Sequence, residues 1–176
     1  MRQDLRERHH DATIYRYRLL RKIPFRREIA HGHAAAGLLC PAALTALHGW
    51  MGLVAAVLAM PLMAVLHLTV LRLTLRRVKS DAFRRWAFRT DWPGFGPYPA
   101  TDASLRLFRR VHAHLTLVGL CFAALLYPWS PPLFIALSYW HLWMLAPRLW
   151  LLVLLRRENP DIVLRFEPGE LWLYLP

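Results

Sequence analysis

Residues 34–71 read AAAGLLCPAALTALHGWMGLVAAVLAMPLMAVLHLTVL, thirty-eight residues without an Asp, Glu, Lys or Arg. As one straight helix this tract would reach roughly 57 Å, nearly twice the hydrocarbon thickness of a bilayer. It is therefore expected to fold back at His48-Gly49-Trp50, where glycine permits a tight turn and the indole suits a membrane interface. That reading gives spans near 29–47 and 50–72.

A second charge-free tract, residues 111–147, contains Tyr127-Pro128-Trp129-Ser130-Pro131-Pro132, whose three prolines cannot continue a helix. Spans near 109–127 and 132–155 follow. The expected fold is thus an all-α membrane protein of four transmembrane helices in two tandem hairpins. Its boundaries are a basic N-terminal segment 1–28, a first hairpin 29–72, a basic loop 73–108, a second hairpin 109–155 and a tail 156–176.

The charge distribution orients this arrangement. All 23 Lys and Arg residues in the chain of net charge +12 fall outside the two tracts, and both expected hairpin tips are uncharged. A charged side chain at the bilayer centre would cost about 3 kcal/mol on insertion scales. The positive-inside rule then places both termini in the cytoplasm of a multi-pass protein, with a bacterial cytoplasmic membrane as the expected location. An Arg-rich, largely polar stretch of about thirty residues before the first apolar run argues against a secretory signal.

Tyr15, Tyr17, Leu19, Leu20, Ile23 and Phe25 interleave with Arg16, Arg18, Arg21, Lys22, Arg26 and Arg27, a pattern suited to an anionic lipid surface. Arg84-Arg85-Trp86-Ala87-Phe88-Arg89 reads the same way. Topology accounts for the basic charge, so no nucleic-acid partner is inferred. The expected partners are anionic headgroups and other membrane proteins or further copies of the chain.

Self-comparison suggests an internal duplication. FRREIAHGHAAAGLLC at Phe25–Cys40 is echoed by FRRVHAHLTLVGLC at Phe108–Cys121, and His31, His33 and Cys40 recur 81 residues later as His112, His114 and Cys121. PLMAVL at 61–66 matches PLFIAL at 132–137, which pairs His67 with His141 and Arg72 with Arg148. Pro93-Gly94 corresponds to Pro168-Gly169. Two such units would be related by a two-fold axis along the membrane normal.

The histidines are the ionisable groups left at depth. His33 and Cys40, like His114 and Cys121, are seven residues apart and share a helix face, whereas His31 and His112 point nearly the opposite way. Facing units would bring His33, His67, His114 and His141 into one bundle interior. Neutral imidazoles on separate helices can ligate haem b or a transition metal, although packed or interfacial histidine is the plainer reading. Cys40 and Cys121, beside Ala36, Gly37 and Gly119, read as small residues at helix contacts, with thiolate ligation as the sharper alternative. Pro41, Pro61 and Pro147 are expected to kink helices.

The sequence holds no phosphate-cradling glycine loop, HExxH or GxSxG, and no paired carboxylate lies in either tract. The tail Ile162–Glu167, Pro168-Gly169, Glu170–Leu175 alternates apolar and polar residues, as a short β-hairpin or an extended interfacial tail would. The leading functional expectation is a non-enzymatic subunit or accessory factor of a membrane. A haem b or metal-binding redox anchor and a small oligomeric transporter are the alternatives.

Overall fold

The computed structural model describes residues 18–78, 86–89 and 96–175. Tyr15, Arg16, Tyr17, Arg84-Arg85 and Pro93-Gly94, with interfacial or repeat roles in the sequence, lie outside the described residues.

In chain order the elements are β1 (Arg18–Pro24), α1 (Arg27–Ala36), α2 (Leu39–Arg76), β2 (Trp86–Arg89), β3 (Gly96–Pro99), β4 (Ala103–Ser104), α3 (Leu105–Leu125), α4 (Pro131–Leu154), β5 (Val163–Glu167) and β6 (Glu170–Leu175). The strands form two antiparallel sheets: a four-stranded one in the order β1-β6-β5-β4, and the two-stranded pair β2-β3. Three helical bodies stand against them, since α1 and α2 make one run, Arg27–Arg76.

This overturns the expectation of four transmembrane helices in two tandem hairpins. Among the described residues, one helical run, Arg27–Arg76, is long and apolar enough to cross a membrane. Besides the tail hairpin that 162–175 suggested, the described residues hold four further strands, β1 to β4, for which the all-α reading had no place. The second charge-free tract misled because absence of charge is not lipophilicity. Within the tract α4 carries Tyr139, Trp140, His141, Trp143 and Pro147, and the tract's helices extend beyond it to Arg106, Arg109 and Arg110 at one end and Arg148 at the other. Such residues favour interfaces or polar partners over hydrocarbon.

The duplication and the multi-pass architecture built on it are corrected as well. Residues paired by the sequence match occupy unlike surroundings: Cys40 is buried and Cys121 exposed, while His31 is exposed and His112 fully buried. The first helix stops at Ala36 before Gly37 and Leu38, whereas α3 runs unbroken for 21 residues. Matching letters in apolar sequence reflect a small alphabet more than common placement.

Within the helical run, Gly49 adopts φ 61 and ψ −146, a conformation that L side chains resist, and makes a sharp kink. The kink brings Gly52 against the Leu44 carbonyl, where a Cβ would come within 2.0 Å of the oxygen. Cys40, Leu44, Ala56, Ala59 and Met63 then pack with Ala136, Leu137, Trp140 and Met144 of α4. The break after α1 is satisfied from α4: the Trp143 Nε1–H donates to the His33 carbonyl at 2.8 Å, and the Tyr139 hydroxyl donates to the Ala36 carbonyl. The Ala36 carbonyl at the helix end thus gains a partner, while the His33 carbonyl accepts the indole in addition to the Gly37 N–H at 3.3 Å.

The four-stranded sheet closes one end of the helices. In β5 and β6 the burial alternates, so that Leu164, Phe166, Leu171 and Leu173 face Ile23, Phe25, Leu105, Phe108 and Leu151. Each such side chain contributes about 1.5–3 kcal/mol on full burial. Gly169, at φ 79, makes the turn between the two strands. Asp102 accepts two hydrogen bonds of 2.7 Å from Arg165, which ties the segment before β4 to β5. These hydrogen bonds, together with the carboxylate charge, hold the Arg165 guanidinium protonated well beyond its ordinary range. Arg109 Nη2 donates to the carbonyls of Leu155, Arg156 and Glu158, so a cation on the first turns of α3 caps the C-terminal end of α4.

Candidate functional site

The inward face of α4 carries two polar residues seven apart, His141 and Arg148, both fully buried. Seven residues are two helical turns, so both lie on the stripe that also presents Leu137, Met144, Leu145 and Leu151 to the core. Polar groups of this size enter a packed interior only where neighbours make room and supply partners.

Glycines make the room. A Cβ at Gly119 of α3 would come within 2.1 Å of His141 Cε1, so the imidazole lies flat against the α3 backbone. A Cβ at Gly96 would come within 1.7 Å of Arg148 Nη2, and Gly96 has φ 137, which L side chains rarely adopt. The guanidinium carbon of Arg148 stands 4.8 Å from the centroid of the Tyr98 ring, a cation–π contact that offsets part of the desolvation of the charge. Arg148 thereby clasps β3 to the helices.

His141 pairs with His67 of α2, Nε2 of His67 lying 2.8 Å from Nδ1 of His141. His141 Nε2 lies 3.2 Å from the Thr116 carbonyl, which can only accept. His141 therefore carries its proton on Nε2, and the Nδ1 of the neutral ring accepts from the Nε2–H of His67. The result is a directed chain from α2 through α4 to the α3 backbone.

Next to this chain, His112 donates from Nδ1 to the Phe108 carbonyl at 2.7 Å and packs on the Phe108 ring, centroids 4.1 Å apart. Its Nε2 is buried and has no hydrogen-bond partner among the described residues. The Arg148 charge is close enough to act on both His67 and His112.

Of the four histidines proposed as ligands, the structure brings His67 and His141 into direct contact. His33 stacks on Trp143 at 4.5 Å, and His114 meets Thr74 Oγ1 at 3.2 Å on the rim of a separate groove. Two imidazole nitrogens that ligate a haem iron from its opposite faces stand about 4 Å apart, because each bond is about 2.0–2.1 Å. The 2.8 Å contact of His67 with His141 leaves no such gap, and His141 Nε2 is committed to a carbonyl. The arrangement does not fit a bis-histidine haem. Among the described residues no group of three His, Cys, Asp or Glu side chains is placed to hold a metal.

Sequence reasoning missed Arg148, grouped with the aqueous basic residues, and His112, assigned to the outer face. The signal for Arg148 was its place seven residues after His141 on the apolar stripe of α4. For His112 it was the i, i+4 step from Phe108, a residue whose neighbours belong to the core.

Comparison with known proteins sets nothing beside this geometry: no family profile, curated protein or solved structure matches the chain.

Proposed function

We propose that the chain is a non-enzymatic accessory protein of a membrane, held in lipid by the helical run Arg27–Arg76 and engaging other membrane proteins through its sheet end. The observation that carries this reading is that the run wears its apolar residues outward. Leu38, Leu47 and Trp50 are 72%, 74% and 71% exposed, and only 28% of the run's most apolar window is buried within the protein. Exposed apolar surface on this scale marks contact with lipid or protein.

The basic residues Arg26, Arg27, Arg76 and Arg77 bracket the run and mark the two ends at which it leaves hydrocarbon in this reading. β1 supplies the meeting surface. Among the described residues it is an edge strand, paired through β6, and presents Leu19, Leu20, Arg21 and Lys22 to the outside. Edge strands offer unpaired backbone donors and acceptors to a second chain. His67, His141, His112 and Arg148 act in this view as an internal polar clasp that fixes the helices under the sheet.

The test is isolation from membranes in mild detergent. A second membrane protein is expected at constant stoichiometry, and it is lost with Leu20→Asp while the thermal transition stays in place. A monodisperse protein without an associate, or one that stays soluble without detergent, overturns the reading.

A further inference from the structure

The last two turns of α2 and the middle of α3 enclose a groove of about 310 Å³, lined by Val70, Leu73, Thr74, Arg77, His114 and Val118. Residues 70, 73, 74 and 77 follow the i, i+3, i+4, i+7 rule, and 114 and 118 follow i, i+4, so each helix offers one continuous strip. The strips are graded along the groove. Val70, Leu73 and Val118 make an apolar end, while Thr74, His114 and Arg77 make a polar one.

The polar end suits an anion. Arg77 is exposed at the C-terminal cap of α2 and has no hydrogen-bonding or ion-pairing partner among the described residues. Thr74 Oγ1 lies 3.2 Å from His114 Nδ1. A hydroxyl that donates to Nδ1 leaves the imidazole proton on Nε2, which makes His114 a second donor lining the same groove as the Arg77 guanidinium. Arg110, one turn before His114 on the same face of α3, adds positive charge, and no acid is among the described residues that line the groove.

The apolar end excludes a simple soluble anion as the natural occupant. Leu73 and Val118 are 57% and 41% exposed, a placement that costs free energy in water and is relieved beside hydrocarbon. The basic end also lies where the apolar run gives way to charge, at the depth of lipid headgroups.

We infer that this groove binds an anionic glycerophospholipid, with the headgroup phosphate between Arg77 and His114 and an acyl chain along Val70, Leu73 and Val118. The inference rests on the membrane reading above, and it adds a defined lipid class and a defined seat. A planar guanidinium and an imidazole N–H can each hydrogen-bond phosphate oxygens.

Two measurements separate the inference from its premise. Flotation of the purified protein with vesicles of phosphatidylcholine and phosphatidylglycerol tests insertion alone. Failure to float removes the membrane reading and the lipid site with it. Native mass spectrometry from detergent containing equal amounts of the two lipids then tests the seat. The wild type is expected to retain phosphatidylglycerol over phosphatidylcholine. Arg77→Gln is expected to weaken that retention about fivefold, the factor one basic side chain contributes near a lipid surface. Thr74→Val, which releases His114, is expected to weaken it less, and Arg157→Gln, outside the groove, not at all. Flotation with equal retention of both lipids, or unchanged retention by Arg77→Gln, overturns the lipid site and leaves insertion standing. Displacement of the bound lipid by excess glycerol 3-phosphate would assign the seat to a soluble phosphate and overturn it too.

Discussion

The helical run Arg27–Arg76 and the sheet end solve opposite problems with the same residue types. Along the run, Leu38, Leu47, Leu58 and Val65 face outward while Ala56 and Ala59 are fully buried, so packing inside is close and much apolar bulk lies outside. At the sheet end Leu164, Phe166, Leu171 and Leu173 face inward, and Arg165, Glu167 and Glu170 share the outer positions with Val163, Trp172 and Tyr174. One region is inside out relative to the other. Composition alone does not separate them; the direction in which large apolar side chains point identifies the solvent each region was selected to meet.

The largest effects should come from the sheet end. Leu171, fully buried in β6, packs in the core shared with α3 and α4, so Leu171→Ala should cost about 2–5 kcal/mol. Denaturant unfolding in detergent would measure it. Should Leu171→Ala prove as mild as Leu47→Ala on the outward face of the run, the contrast between the two regions would collapse.

What could be read beforehand divides along the same line. The apolar run is evident in residues 34–71, and the alternation of 162–175 carries two strands in its letters, since both signals are local. Pairing of β1 with β6 is not local, and nothing in RLLRKIP names a partner about 150 residues away. The interleaved arginines of β1 resemble a lipid-lying segment as closely as an edge strand. The histidines were visible as unusual groups, yet their grouping depended on which faces of α2, α3 and α4 meet. For that reason His33 and His114 were placed with His67 and His141, while His112 and Arg148 were left out.

Next in size is the polar clasp. Gly119→Ala drives a methyl into the His141 ring, and overpacking of this kind costs about 1–3 kcal/mol. The ring has to leave the Thr116 carbonyl and His67 as it moves. The imidazole nitrogen signals of His67 and His141 should shift together in a spectrum of the labelled protein. A shift confined to His141 would show that the two rings are not coupled.

Arg109→Ala removes the donor to the Leu155, Arg156 and Glu158 carbonyls that follow α4. A loss of about 1 kcal/mol is expected, together with faster hydrogen exchange of amides at residues 153–158. Unchanged exchange there would show that the cap is filled by water at no cost.

The smallest effect has the opposite sign. Gly32 lies in α1 with nothing within 4 Å of an added Cβ, so Gly32→Ala should stabilise by about 0.5–1 kcal/mol through helix propensity. The same substitution at two helical glycines thus sharpens the comparison: gain on an open surface, loss in the clasp. A loss at Gly32 would mean that this face is already covered by another molecule.

The pairing of Arg18–Pro24 with Glu170–Leu175 bears on synthesis as well as on shape. β1 leaves the ribosome long before its partner is made, and every helix between them is translated while that strand has no mate. Its backbone groups and leucines must be shielded by water, lipid or a chaperone throughout elongation, because long-range strand pairing is slow and exposed to error. Registration of the last six described residues is therefore the step that commits a nascent chain to its fold. A ribosome stalled before residue 170 would hold a protein whose helices can form but whose sheet cannot.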